Sequence, residues 1–274
     1  MTSRLFEGER RIDALPVGNR GLAYGDGIFE TMRAHGGCVV WWDAHWARLE
    51  TGAQRLRLQL PARRLVEAEL DALLQEHGDG VAKLIVTRGG VGRGYAAVRE
   101  TDPLWVLSAH PLPLPPRAGG LVVRWCETRL ATQPALAGIK HCNRLEQVLA
   151  RAECDDAAID EGLMRDADGF AVCATAANLF VFREAHWMTP PVERCGVAGV
   201  CRAWALHALD ARIEQLTVAQ VESADAVFLC NAVRGILPVA RIGARAWSGH
   251  RALDDASLRL ADAQPAFADR LETP

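Results

Sequence analysis

The chain has 274 residues, of which 50% are hydrophobic and 24% are charged, and its formal net charge at pH 7 is -3. This composition allows a sizeable core, and the small negative charge argues against a nucleic-acid partner. The eight cysteines never form a C-x-x-C pair, which argues against a zinc site or a disulfide framework. The N-terminal residues lack a long apolar run, and no later stretch reaches the roughly 18 apolar residues of a membrane span. We therefore expect a cytoplasmic protein.

The first part of the chain alternates helical and strand-like patterns. Apolar residues at helical spacing predict helices at residues 42–58 and 62–76. Strand-like apolar runs lie around these helices, at residues 37–41, 82–87 and 104–108. The mixture predicts an α+β domain over residues 1–109 rather than a helical bundle.

A proline-rich segment, HPLPLPPRAGG, occupies residues 110–120. Its prolines remove amide donors and favour extended backbone, so we expect an interdomain linker there and a larger domain over residues 121–274. The strand-like runs of this larger domain lie at residues 121–125, 178–182 and 226–229. Helices are predicted at residues 144–152 and 200–209, and the tail from His250 has a helical mixture of polar and apolar residues.

Lys140 stands in the segment LAGIKHCNRLEQVLARAE, where small residues precede an amphipathic helix with Leu145, Val148 and Leu149 on one face. A partly apolar setting disfavours the ammonium form of a lysine, and the neutral amine is the form that attacks an aldehyde. The segment is therefore typical of a lysine that forms a Schiff base. A solvated loop lysine shows the same local pattern.

Three further segments carry groups that suit an anion. In ERCGVAGVCR, residues 193–202, glycines precede a predicted helix whose first amides and dipole attract a phosphate. The forked guanidinium of Arg48 suits a phosphate bidentately. Asn231 and Ala232 follow a predicted strand, a position where polar groups commonly meet a ligand. Each segment by itself also fits an ordinary turn, surface helix or strand end.

The order of these motifs resembles that of the fold-type IV enzymes, which use pyridoxal 5′-phosphate (PLP). The matching segments are YGDGIFET (24–31), HWARL (45–49), GIKHCNRLEQVLAR (138–151), ANLFVF (177–182), GVAGVCR (196–202) and CNAVRGILPV (230–239). This family includes branched-chain and D-amino-acid aminotransferases and the aminodeoxychorismate lyases. The resemblance implies a two-domain α+β / α/β fold with a smaller N-terminal α+β domain and a larger, β-barrel-like C-terminal domain with helices.

Two segments are most similar to the lyase branch of this family. One is the K-H-x-N-R-L-E-Q pattern that begins at Lys140, with Arg144 where branched-chain aminotransferases usually carry a tyrosine, and the other is TRGGVGRGY at residues 87–95. The resemblance therefore implies a lyase that eliminates pyruvate from aminodeoxychorismate to give p-aminobenzoate for folate biosynthesis. The alternatives are a branched-chain or D-amino-acid aminotransferase and a PLP-binding homologue of low activity.

The resemblance also implies roles for single residues. Lys140 would form the Schiff base and carry a proton. The residues implied to bind the cofactor are Arg48, Lys140, Cys173, Asn178, Gly199, Val200, Cys201, Asn231 and Ala232. Those implied to contact the substrate, whose two carboxylates suit arginines, are Tyr24, Phe29, Arg88, Arg93, Tyr95 and Arg144. A homodimer whose partner reaches the substrate pocket is implied as well.

Cys173 departs from the family pattern, because family members usually carry at this position a glutamate that pairs with the protonated pyridine nitrogen. A thiol with an ordinary pKa of about 8.5 is a poor counter-ion. Three explanations remain open: a thiolate at Cys173, another carboxylate that reaches the nitrogen, or a reaction that runs with a neutral ring. We favour the third, because formation of an aromatic product supplies a driving force that amino transfer lacks.

Overall fold

The computed structural model describes residues 2–90, 94–96 and 101–270, and its chain divides into two compact units. The first unit comprises Met1–Leu112 and Ile139–Asn143, and the second comprises Pro113–Gly138 and Arg144–Pro274. The chain therefore returns to the first unit for five residues, and this short return carries Lys140. A division at a single linker does not describe that exchange.

The first unit contains, among the described residues, a six-stranded antiparallel sheet with strand order β2-β1-β6-β5-β3-β4. Its strands are β1 (Thr2–Glu7), β2 (Arg10–Ile12), β3 (Gly27–His35), β4 (Cys38–Val39), β5 (Gly80–Thr87) and β6 (Leu104–His110). Its helices are α1 (Arg20–Tyr24), α2 (Trp42–Leu56) and α3 (Arg63–His77). Leu49 of α2 and Leu73 of α3 are buried in one core with residues of the sheet such as Leu84.

Strand β3 presents two different faces. Ile28 and Met32 join the core beneath α2 and α3. Because side chains alternate along a strand, Glu30 shares that core face, whereas Phe29 and Thr31 lie on the opposite face. The two faces of β3 can therefore position different groups.

The second unit is built around a closed ring of six strands. Within the described residues the order is β10-β13-β14-β7-β8-β9, and the pairing of Asn178 with Cys173 joins β10 to β9 and closes the ring. The strands of this unit are β7 (Leu121–Leu130), β8 (Glu161–Asp166), β9 (Ala171–Ala174), β10 (Asn178–Arg183), β11 (His186–Thr189), β12 (Arg212–Ile213), β13 (Ala226–Asn231), β14 (Gly235–Ile242) and β15 (Arg245–Ala246). The closed ring confirms the expected barrel-like domain.

Helices accompany this barrel in the second unit. They are α4 (Leu145–Ala152), α5 (Val200–Ala208), α6 (Val218–Glu222), α7 (Arg251–Ala263) and a final 3-10 helix (Pro265–Arg270). The four helices that the sequence predicts with bounds agree with α2, α3, α4 and α5 to within two residues at each end. Across the described ranges, none of the helices has the length and apolar character that crossing a membrane requires.

The predicted strand at residues 37–41 is shorter in the structure, where β4 covers only Cys38–Val39. Trp41 adopts a positive φ of 58° directly before α2, and this left-handed conformation ends the extended backbone. A further difference concerns α4, whose apolar residues Leu145, Val148 and Leu149 are 75%, 59% and 60% exposed on this chain. The amphipathic pattern therefore forms the expected helix without burying its apolar face within one chain.

Candidate active site

Lys140 is held alongside strand β3 of the first unit. The amide of Phe29 donates to the carbonyl of Lys140 at 3.0 Å, and the amide of Cys142 donates to the carbonyl of Gly27 at 2.8 Å. The Nζ atom of Lys140 lies 4.2 Å from the centroid of the Phe29 ring. Backbone pairing and this cation–π contact together fix the amine on the face of β3 that Phe29 occupies.

Glu30 lies on the core face of β3 and is almost fully buried. Its carboxylate accepts a hydrogen bond from Nδ1 of His45 at 2.6 Å and another from Nε of Arg48 at 2.8 Å, and it also pairs with Nη2 of Arg48. Burial raises the pKa of Glu30, but the charge of Arg48 and the two hydrogen-bonded partners outweigh burial and lower it to about 2. Glu30 is therefore ionised at neutral pH, and it fixes one edge of the Arg48 guanidinium.

His45 completes this buried cluster. Burial lowers the pKa of His45 despite the hydrogen bond to Glu30, so the imidazole is neutral at neutral pH. An ionised carboxylate beside Nδ1 places the proton on that nitrogen and leaves Nε2 as an acceptor. Among the described residues Nε2 is buried with no hydrogen-bond partner.

Glu30 and His45 are residues that the sequence analysis did not single out. A signal for Glu30 is present in the sequence, because an acidic residue stands between apolar residues on the core face of a strand. His45 precedes Arg48 by three residues, a spacing that places both on one side of a helix.

In the second unit, the start of helix α5 carries groups that suit an anion. The helix begins at Val200, directly after Gly199, and no side chain caps its first turn. A Cβ atom on Gly199 would lie 2.0 Å from Oδ1 of Asn178, and Asn178 is fixed by donating from Nδ2 to the carbonyl of Val197 at 2.9 Å. An alanine at this position would force the Asn178 side chain or the start of α5 to shift, and the first amides of a helix have no acceptor within the helix. The uncapped start of α5 is therefore a donor set that fits the phosphate of a cofactor such as PLP.

Asn231 lies at the end of β13 and its side chain is used within the second unit. Its Oδ1 accepts from the amides of Val233 and Arg234 at 3.0 and 2.8 Å, and its Nδ2 donates to the carbonyl of Ala176 at 3.2 Å. The side chain thus holds the turn that contains Ala232, which is buried. Both residues shape the backbone at the end of β13.

Cys173 is buried in strand β9, and its burial bears on the explanations for the missing glutamate. Burial, together with the neighbouring thiol of Cys195, raises the pKa of Cys173 to about 12. The raised pKa favours a neutral thiol over a thiolate at neutral pH. The carboxylates whose charge reaches Cys173 belong to Glu161 and Glu146.

Arg88 is bound within the first unit. Its side chain is 6% exposed, and Nε and Nη2 donate to the carboxylate of Asp26 at 2.9 and 3.3 Å. Nη2 and Nη1 also donate to the carbonyls of Leu56 and Arg57 at 2.7 and 2.6 Å. Four of the five guanidinium donors are therefore used within the first unit, and contact with the substrate stays a prediction.

The other expected substrate residues are distributed as follows. The rings of Tyr24 and Tyr95 lie 5.6 Å apart in the first unit, and Tyr95 is 89% exposed. Arg144 directly precedes α4 in the second unit. Arg93 lies outside the described residues.

Comparisons with known proteins find one family and several related enzymes. The family described as Amino-transferase class IV matches residues 27–242. An aminodeoxychorismate lyase from Vibrio harveyi is 34% identical over 239 residues, which are 84% of this chain and 88% of that protein. A D-alanine aminotransferase from Bacillus licheniformis is 26% identical over 260 residues, 87% of each chain. The crystal structure of 4-amino-4-deoxychorismate lyase from Pseudomonas aeruginosa is 41% identical, with a TM-score of 0.89 over 95% of this chain and 99% of that chain.

Proposed function

Because the chain belongs to the class IV aminotransferase family, we propose that it is a PLP-dependent lyase that converts 4-amino-4-deoxychorismate into p-aminobenzoate and pyruvate. The observation that carries this proposal is the similarity to two such lyases over most of the chain. The lysine segment around Lys140 adds the pattern of the lyase branch. The product belongs to folate biosynthesis, and we propose a cytoplasmic location.

The cofactor supplies an aldehyde carbon for the lysine amine and a ring that withdraws electrons from the substrate. The chain's own groups then have distinct tasks. The Nζ atom of Lys140 would attach the cofactor, and as a free amine it would take the proton from C4 of the substrate. Phe29 holds that nitrogen in place through the face of its ring.

The phosphate of the cofactor would be bound by two kinds of donor. Arg48 offers a charged guanidinium whose direction is set by Glu30, and the amides of Val200 and Cys201 offer the positive end of α5. Gly199 leaves room for the Asn178 side chain beside the start of α5, because an added Cβ would lie 2.0 Å from its Oδ1.

Cys173 supports elimination over amino transfer. A neutral thiol at this buried position gives the pyridine nitrogen no anionic partner, so electron withdrawal by the ring is weaker. Elimination to an aromatic product tolerates this weakness because aromatisation drives the reaction. Reversible amino transfer depends on the ring more strongly, and Glu161 or Glu146 remains the alternative partner for the nitrogen.

The activity can be tested directly. The purified protein is incubated with chorismate, ammonia and an aminodeoxychorismate synthase, and p-aminobenzoate and pyruvate are measured with and without a 2-oxo acid. We expect both products without the acid. Products that form only when a 2-oxo acid is present would indicate an aminotransferase instead.

The assembly state is also part of the proposal. We expect a homodimer, and the exposed apolar residues Leu145, Val148 and Leu149 of α4 support a partner surface on the second unit. Light scattering on the wild type and on a Leu149→Glu variant measures this. A monomeric wild type would contradict it.

A further inference from the structure

The chain contains two lysines, Lys83 and Lys140, among its 31 lysine and arginine residues. Both lie against the same aromatic ring. The Nζ atoms of Lys140 and Lys83 are 4.2 and 5.5 Å from the centroid of Phe29. The two nitrogens are therefore at most 9.7 Å apart, the sum of these distances. All the other residues of this count are arginines, so both lysines of the chain lie at the ring of Phe29.

Lys83 lies on strand β5, on the face of the sheet opposite to the α2 and α3 core. Its neighbours across the sheet are Thr31 on β3 and Ser108 on β6, and neither is charged. Facing residues of antiparallel strands point to the same side, so Lys83 shares its face with Phe29 and Thr31. The side chain is partly buried.

Within the part of the chain that the structure describes, Lys83 has no acidic partner. This contrasts with buried arginines of the same unit, since Arg4 pairs with Glu69, and both Arg20 and Arg88 pair with Asp26. A partly buried ammonium with no acidic neighbour can accept a carboxylate of a ligand as its counter-ion.

We propose that Lys83 binds the ring carboxylate of the substrate and so directs the substrate's amine towards Lys140. This inference rests on the proposed function, because aminodeoxychorismate carries its carboxylate para to its C4 amine. A six-membered ring holds these two groups at a fixed separation that falls within the 9.7 Å limit between the two lysine nitrogens. Lys83 is thus a specificity-determining residue, and it adds a cation to those expected to bind the substrate.

The experiment compares two probes on the PLP-loaded enzyme, 4-aminobenzoate and its neutral analogue 4-aminobenzamide, by calorimetry. We expect the wild type to prefer the carboxylate, and Lys83→Met to reduce that preference about tenfold or more, because a charge-assisted hydrogen bond is lost. Affinity for the amide should not change. Lys83→Arg should keep most of the preference.

Arg64→Met is the matched control, because it removes an exposed cation from α3 of the same unit. It should leave the preference unchanged. In turnover of aminodeoxychorismate, Lys83→Met should raise KM more than it lowers kcat. Melting of this variant should match the wild type, since no ion pair is broken.

An unchanged probe preference in Lys83→Met would overturn the inference, and so would an equal loss in Arg64→Met. A Lys83→Met variant that unfolds more easily and loses affinity for both probes would show a structural role and overturn it too. These outcomes leave the proposed function intact when the wild type still forms p-aminobenzoate. A wild type that forms none would overturn the proposed function and this inference together.

Discussion

The Nδ1 atom of His45 lies 2.6 Å from Oε2 of Glu30, and both side chains are buried. The same carboxylate binds Arg48 through two nitrogens. A carboxylate in a sheet–helix core is unfavourable unless its charge and lone pairs are matched. The cluster therefore stabilises the first unit only when all three side chains are present. It also sets the direction of Arg48, which we expect to bind phosphate.

Replacing Glu30 by Gln should destabilise the protein strongly. The change removes the carboxylate from the partly buried guanidinium of Arg48, and loss of one partner of such a pair costs about 3 kcal/mol of unfolding free energy. Urea unfolding measures this. Glu67→Gln, which breaks a more exposed pair with Arg63, is the control and should have a far smaller effect. Equal stability of Glu30→Gln and wild type would contradict the prediction.

The same cluster predicts how stability depends on pH. The pKa of Glu30 falls from 4.5 to about 2 on folding, so its contribution is complete above pH 4.5 and is lost as pH falls towards 2. Burial lowers the pKa of His45 from 6.5, so a further loss begins as pH falls below that value. We expect unfolding free energy to decline in two stages on acidification. In Glu30→Gln the stage below pH 4.5 should shrink, and an identical acid profile would refute this assignment.

Replacing Lys140 by Ala should abolish turnover. Loss of the attaching amine, which is also the proton carrier, is expected to lower kcat by at least about a thousandfold. The visible absorption of the protein–PLP complex should also disappear, and borohydride should no longer fix the cofactor to the chain. Lys83→Ala is the control, because it removes the other lysine at the Phe29 ring and should retain the absorption band.

Replacing Gly199 by Ala should weaken PLP binding. The new Cβ would lie 2.0 Å from Oδ1 of Asn178, so the start of α5 or the Asn178 side chain must shift. We expect the dissociation constant for PLP to rise about tenfold, as for loss of one hydrogen bond to a charged group. Gly249→Ala, where an added Cβ meets no atom within 4 Å, is the matched control. Fluorescence titration measures both, and equal affinities would exclude a close backbone approach at Gly199.

Replacing Cys173 tests the neutral-ring account. Cys173→Ala keeps the site uncharged and should retain most of the lyase turnover. Cys173→Glu adds a carboxylate that should raise amino transfer with a 2-oxo acid, and it should lower stability because burial of a carboxylate is unfavourable, while the charge of Arg144 offsets repulsion from Glu161 and Glu146. If Cys173→Ala loses most of the turnover, the neutral ring is the wrong explanation.

The sequence predicts the helices well because their apolar periodicity is local, and α2, α3, α4 and α5 follow it closely. Strand β3 lacks an unbroken apolar face in the sequence, because Glu30 interrupts it. The hydrogen-bond partners of this carboxylate lie on α2 and are seen only in the structure. For Arg88 the residue type predicts an anion contact, and only the fold shows that Asp26 and two carbonyls surround it.

What the sequence by itself determined is the family, and it singled out Lys140, the glycine before α5 and the unusual cysteine in β9, because each is carried by residue type and order along the chain. Only the tertiary structure decided that Lys83 and Lys140 share the ring of Phe29, and that Glu30 binds both His45 and Arg48. These relationships join residues far apart in the chain through sheet register and through the short return of residues 139–143 to the first unit. Local sequence patterns carry no record of such pairings, since the pairing of strands is set by burial of the whole sheet.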